Sequence, residues 1–285
     1  MAQSRRPVAA AVETPQVRNI TTADVWDALR HGFEDFWEHP SHYAFAGVIY
    51  PIVMVVAAVW VSGQNILPLL YPLATGFALL GPFVALIFYE ISRRQELHMD
   101  TSWRYGFEAL RSPNLRQIAT VGIVLSILFV TWLVTAQVLF TGLFGSEEPA
   151  SLTGLFYEIL TTGEGWTLII FGNLIGFLFA TLVLFISVVS FPLLLDRQVD
   201  ARTAIETSLK ASLTNTMPVL LWGLIVALLL ALGMATAFVG LVIVMPVLGH
   251  ATWHIYRKMV VPQAGRVARS RGSRATRSAG AAKHA

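Results

Sequence analysis

The chain has 285 residues, 55% of them hydrophobic and 13% charged, with a formal net charge of +3 and a mean hydropathy of +0.63. Soluble domains carry about 25% charged residues, so the composition excludes an ordinary water-soluble globule and points to lipid as the solvent. Cysteine is absent, which excludes a disulfide framework, a thiolate nucleophile and a thiolate metal site.

The first 41 residues hold no apolar stretch ahead of a small-residue cleavage site, so no cleavable signal peptide is expected. Residues 1–20 read as a disordered segment, 21–260 as a membrane domain and 261–285 as a disordered basic tail. Thr21 with Asp24 three residues on is a capping-box variant. Behind it, Val25, Trp26, Leu29, Phe33, Phe36 and Trp37 recur at spacings of three and four, which predicts an amphipathic helix. Asp24, Asp27, His31, Asp35 and Glu38 fall on its polar side.

A span needs roughly 20 apolar residues to cross about 30 Å of hydrocarbon. Six apolar runs are read as spans: Tyr43 to Val61, Ile66 to Tyr89, Gln117 to Leu139, Trp166 to Leu195, Pro218 to Leu232 and Ala237 to Tyr256. The expected fold is all-α, a polytopic membrane protein of six transmembrane helices. Arg5, Arg6, Arg18 and Arg30 precede the first span. Arg93, Arg94, Arg104, Arg111 and Arg116 lie between the second and third, and Arg197, Arg202 and Lys210 between the fourth and fifth. Arg257, Lys258, Arg266, Arg269, Arg271, Arg274, Arg277 and Lys283 follow the sixth. These account for all 20 Lys and Arg, whereas the opposite side carries only acids, Glu147, Glu148, Glu158 and Glu164. By the positive-inside rule both termini are cytoplasmic. On the outer side, Leu152, Leu155, Phe156, Ile159 and Leu160 predict a helix lying on the leaflet.

Each odd span follows a short amphipathic segment. Gly32-Phe33-Glu34 aligns with Gly106-Phe107-Glu108 and more loosely with Ser208-Leu209-Lys210, and Pro40, Pro113 and Asn215 follow as breakers. Each even span carries a proline in its inner half: Pro82, Pro192 and Pro246. The pattern reads as three repeats of interfacial helix plus two spans. The plainer reading is that any membrane protein has amphipathic helices at its interface.

Candidate chemistry is sparse. His250 and His254, at i and i+4, share a helix face and are the candidates for a haem or metal. Trp253, Tyr256, Arg257 and Lys258 around them equally describe an interfacial belt. Glu90 with Arg93 and Arg94, and Asp196 with Arg197, stand where spans two and four leave the membrane. They form a possible functional interface, or else local pairing at helix ends. Asn173, Gln137, Thr131 and Thr135 are the polar groups expected to be buried in spans. Gly172 and Gly176 form a GxxxG that lets helices approach closely. No GxxxxGK[ST], HExxH or GxSxG motif occurs, so neither enzymatic activity nor a resident cofactor is expected. The expected partners are the lipid bilayer, anionic headgroups through the basic tail and a membrane-protein partner, with nucleic acid discounted.

Several runs carry a family resemblance. They are Val17-Arg18-Asn19-Ile20 with Asp24, Ala28, Leu29, Gly32, Asp35 and Phe36; Gly76 to Pro82 with Tyr89-Glu90-Ile91-Ser92-Arg93-Arg94; Ser190 to Arg197; and Pro246 to Arg257. Over about Val17 to Val260 the chain resembles the bacterial integral-membrane family catalogued as domain of unknown function 2189. The resemblance implies a bacterial inner membrane and brings no substrate, cofactor or catalytic residue. The leading expectation is a non-enzymatic accessory or scaffold protein. Alternatives are a small-solute transporter or channel, and a haem- or metal-binding membrane protein.

Overall fold

The computed structural model describes residues 15–38, 81–145, 151–236 and 239–262. The first span, most of the second and nearly all of the basic tail lie outside them. Among the described residues the protein is helical: α1 (Thr22–Glu38), α2 (Gly81–Glu96), α3 (Trp103–Gly106) running into a 3-10 turn (Phe107–Arg111), α4 (Leu115–Phe144), α5 (Leu152–Thr161), α6 (Gly163–Asp196), α7 (Ala201–Thr214), α8 (Thr216–Ala235) and α9 (Leu241–Met259). Three of them, α4, α6 and α8, are long and apolar enough to cross a membrane. They coincide with the third, fourth and fifth expected spans. α9 covers most of the sixth, and its last turns carry His250, His254, Arg257 and Lys258.

Polar side chains set the helix starts. Thr21 N–H donates to Asp24 Oδ2 at 2.8 Å and Asp24 N–H to Thr21 Oγ1 at 3.3 Å, the reciprocal pair of a capping box. Ser151, Thr162 and Asp200 accept from the backbone N–H groups of Gly154, Gly165 and Thr203 at the heads of α5, α6 and α7.

The inner helices are α2, α6 and α9, which touch one another pairwise. Gly249 of α9 lies against Phe88 of α2 so closely that a Cβ there would come within 2.5 Å of the Phe88 Cβ. From Ile186 to Leu195 every residue of α6 is buried, and from Met245 to Ile255 every α9 residue except His254 is buried. α4 packs outside α6, where Trp132 sits over Gly176. The GxxxG of α6 thus serves packing within the chain. Trp166, Ile170, Leu174 and Phe177, in the first half of α6, are more than half exposed. The core therefore sits at one end of the bundle, where the basic residues collect.

The short helices lie against the inner ones: α1 on α9, α3 on α2 and α7 on α6. Pro192 removes a backbone donor inside α6. One turn before it, Ser208 of α7 donates to Phe185 O at 2.7 Å and accepts from Val189 N–H at 3.2 Å.

Three expectations need correction. The buried face of α1 is Val25, Ala28, Gly32, Asp35 and Phe36, while Trp26, Phe33 and Trp37 point outward. Small residues win this face because α9 approaches Gly32 too closely for any Cβ, with Ala251 at 2.7 Å from where one would stand. Second, the last residues of the segment read as disordered, Pro15–Ile20, are extended and anchored. Arg18 N–H donates to Met259 O and Val261 N–H to Gln16 O, and Asn215 bonds both Arg18 O and Ile20 N–H. Third, among the described residues Thr131, Thr135 and Asn173 line no buried path. Each donates to its own helix, at Ile127, Thr131 and Ile169 O, and Gln137 is half-buried.

Candidate functional site: a buried polar layer

The C-terminal ends of α2, α6 and α9, the 3-10 turn, the heads of α4 and α8 and the whole of α1 meet in one layer. Here the protein buries charge. A buried charge is tolerated only when it is paired and hydrogen-bonded, and each charged group of its three clusters has a partner.

The first cluster joins α1, α2 and α9. Asp35 of α1, 8% exposed, accepts from His254 Nε2 at 2.8 Å and from Ser92 Oγ at 3.2 Å. With the Ser92 hydrogen committed to the carboxylate, His250 Nδ1–H donates to Ser92 Oγ at 2.5 Å. Burial pushes the Asp35 carboxyl up, but the His254 hydrogen bond, the charges of His254 and His250 and the Ser92 bond outweigh it, and its pKa lies below the ordinary value. One turn along, Lys258 bridges Asp27 at 2.7 Å and Asp24 at 3.3 Å. Burial lowers the Lys258 pKa, and these two carboxylates outweigh it and raise it.

The second cluster joins α2 and the 3-10 turn. Glu90, 3% exposed, takes a bidentate pair from Arg93 at 2.7 and 2.8 Å and a third bond from Arg94 at 2.9 Å. Arg94 reaches on to Glu108 and covers the Tyr105 ring at 4.3 Å. The third cluster joins α6 and α9. Asp196 accepts from Tyr256 OH at 2.7 Å, beside Arg197 at 3.5 Å and Arg257 at 3.6 Å, and Arg257 also binds Glu96.

The structure unites what the sequence presented as separate pairs. Glu90, Arg93, Asp196 and Arg197 face one cleft of about 370 Å³ between α2, the 3-10 turn and the end of α6. Arg94 stands behind it, tied to Glu90 and Glu108. His250 and His254 are not in this cleft. They belong to the Asp35 cluster, where His250 Nδ1 and His254 Nε2 are engaged by Ser92 and Asp35. Among the described residues no three His, Cys, Asp or Glu stand close enough to hold a metal.

Sequence reasoning missed Asp35, Ser92, Glu96, Glu108 and Arg257 as parts of the layer. One signal was available: Ala28, Gly32 and Asp35 form a stripe at helical spacing in which an acid follows two small residues. No curated protein matches the chain, and no solved structure does. Residues 70–196 match the family described as "Predicted integral membrane protein (DUF2189)". That stretch includes the Gly76 to Pro82 and Tyr89 to Arg94 runs and ends within the Ser190 to Arg197 run. The Val17 and Pro246 runs lie outside it. The chain is similar over residues 70–196 to the predicted integral membrane proteins of DUF2189, and the helices of that stretch are those of a membrane protein.

Proposed function

We propose that the chain is a six-span protein of the bacterial inner membrane, with both termini cytoplasmic, that works without catalysis as an accessory or scaffold subunit of a membrane complex. The observation that carries this reading is the closure of the polar layer. Glu90, Asp196, Asp35, Asp24 and Asp27 are all taken up by groups of the same chain. Meanwhile the outer halves of α4 and α6 turn rows of large apolar side chains outward, among them Val134, Val138, Phe171 and Leu178. A rigid ionic end with apolar flanks suits a body that lipid and partner helices surround.

The layer also supports a three-unit construction. Gly32 and Gly106 occupy equivalent repeat positions and leave room for Ala251 and Ile87, and the third equivalent, Ser208, binds α6 at Phe185 and Val189. Each interfacial helix thus rests on the second span of another unit, in cyclic order. Ser92, Ser190 and Thr252, three hydroxyls, directly follow Ile91, Val189 and Ala251, one contact residue of each second span.

Purification from the native membrane in mild detergent, with mass spectrometry of everything retained, tests the reading. A stoichiometric protein partner is expected. A clean protein without one overturns the scaffold role and favours the transport alternative, which solute flux into liposomes then examines.

A further inference from the structure

We propose that the cleft between α2, the 3-10 turn and the end of α6 binds a phosphate group, the phosphodiester of an anionic phospholipid headgroup entering from the basic side of the membrane. The inference rests on the membrane placement proposed above. The cleft holds about 370 Å³, at the small end of the roughly 300–1,000 Å³ of ligand pockets, and a phosphate headgroup fits it.

Its lining is rich in donors. Arg93, Arg111 and Arg197 all face it, with Ser112 and Gln198. The three acids that also line it are taken up within the chain: Glu90 by Arg93 and Arg94, Glu108 by Arg94, and Asp196 by Tyr256, Arg197 and Arg257, while Arg197 donates Nη2 to Val261 O as well. Arg93 spends Nε and one Nη2 hydrogen on Glu90, so its Nη1 is left for a ligand. Arg111 is exposed and has no carboxylate within ion-pair distance among the described residues. Guanidinium groups bind phosphate oxygens by strong charge-assisted pairs.

The walls are preformed. Asn114, at the head of α4, donates to Leu194 O at 3.0 Å and to Arg197 O at 2.6 Å, which fixes the end of α6 against the start of α4. These are the points where two apolar helices begin and end, which is the level of the headgroups. The site is distinct from the basic tail, whose attraction to anionic lipid needs no shaped cavity.

The test uses the full-length protein in detergent. Thermal stability is read against added phosphatidylglycerol, phosphatidylcholine and inorganic phosphate, and copurified lipid is identified by mass spectrometry. Phosphatidylglycerol is expected to stabilise and to copurify. Arg111→Gln, an exposed position, should weaken its binding about tenfold. Arg116→Gln, in the first turn of α4 and outside the cleft, should leave it unchanged. Equal stabilisation by phosphatidylcholine, or equal loss in both variants, overturns the site. Saturation by inorganic phosphate alone keeps the phosphate site and overturns the lipid as its source. A topology failure would show separately, in cysteine labelling of the two faces.

Discussion

Asp35→Asn is the sharpest perturbation of the polar layer. The substitution keeps the shape and one acceptor but removes the charge. Hydrogen bonds to a charged group contribute about 1.5–3 kcal/mol against about 0.5–1.5 for neutral pairs. Asp35 makes two, to His254 at 2.8 Å and Ser92 at 3.2 Å, so the loss works out at about 2–3 kcal/mol. Asp35→Leu leaves His254 and Ser92 without their acceptor and should cost about 3–5 kcal/mol, the range for breaking a buried ion pair. By the scaling of soluble proteins the asparagine variant should melt about 4–9 °C lower, read as tryptophan fluorescence against temperature in detergent. The pH dependence adds a sign. The carboxyl titrates below its ordinary value in the folded protein, so its contribution is present above the ordinary carboxylate range and is lost as pH falls through the lower folded value. The wild-type advantage over Asp35→Asn should therefore not weaken from pH 7 to 5 and should shrink only below about 4. An asparagine variant that melts within a degree of wild type, or an advantage that disappears between pH 7 and 5, refutes the assigned bonds.

Gly32→Ala should push α1 off α9 and cost about 1–3 kcal/mol as overpacking, because its Cβ would lie 2.7 Å from Ala251. Gly172→Ala, whose nearest neighbour is at 3.7 Å, should be neutral in the same melt. Asp200→Ala removes the cap of α7 at Thr203 N–H and should cost about 1 kcal/mol. Its pKa is lowered chiefly by the Thr203 side chain and backbone, so that loss too should fade only at acid pH. Because the chain has no cysteine, single cysteines report topology directly. Thr153→Cys should react with an impermeant maleimide in intact cells and Arg202→Cys only after the membrane is opened; the reverse pattern would turn the protein over.

The long elements were legible because lipid imposes a simple rule. A run that carries no charge for 20 residues must be a helix, and α4, α6 and α8 sit within a few residues of the runs read from the sequence. The Thr21–Asp24 cap was legible too, since a capping box is local chemistry. The partners of polar groups were not. Asp35 looked like one of several acids on the wet side of α1, and only the approach of α9, 219 residues later, makes it a buried acceptor. Threonine and asparagine in the spans misled for the opposite reason. Within a helix the i−4 carbonyl keeps a second lone pair beyond its backbone bond, and Thr131, Thr135 and Asn173 each donate to it locally. The cleft was half legible: both of its acid–base pairs stood out at helix ends, but nothing in one dimension says that the ends of α2 and α6 are neighbours.

The placement of the core at one end of the bundle follows from the same physics. Between lipid-facing helices there is no hydrophobic force, since lipid tails are as apolar as leucine. Apolar sequence therefore puts helices in the membrane without telling them how to pair. Pairing must come from close steric fit and from polar bonds, and at the basic end the two coincide: Gly32 on Ala251, Gly249 on Phe88, Asp35 on His254, Asn114 on the end of α6 and Asn215 on the extended segment before α1. The two asparagines stand just ahead of α4 and α8 and use the same device, an amide that ties the start of one long helix to distant backbone. Ionic pairs at this level are screened less than at an open surface, because apolar helices cover one side of them. Conditions that weaken the polar layer should thus separate the helices from one another without withdrawing them from lipid, leaving helical content intact while the tertiary contacts of Trp253 and Tyr256 are lost.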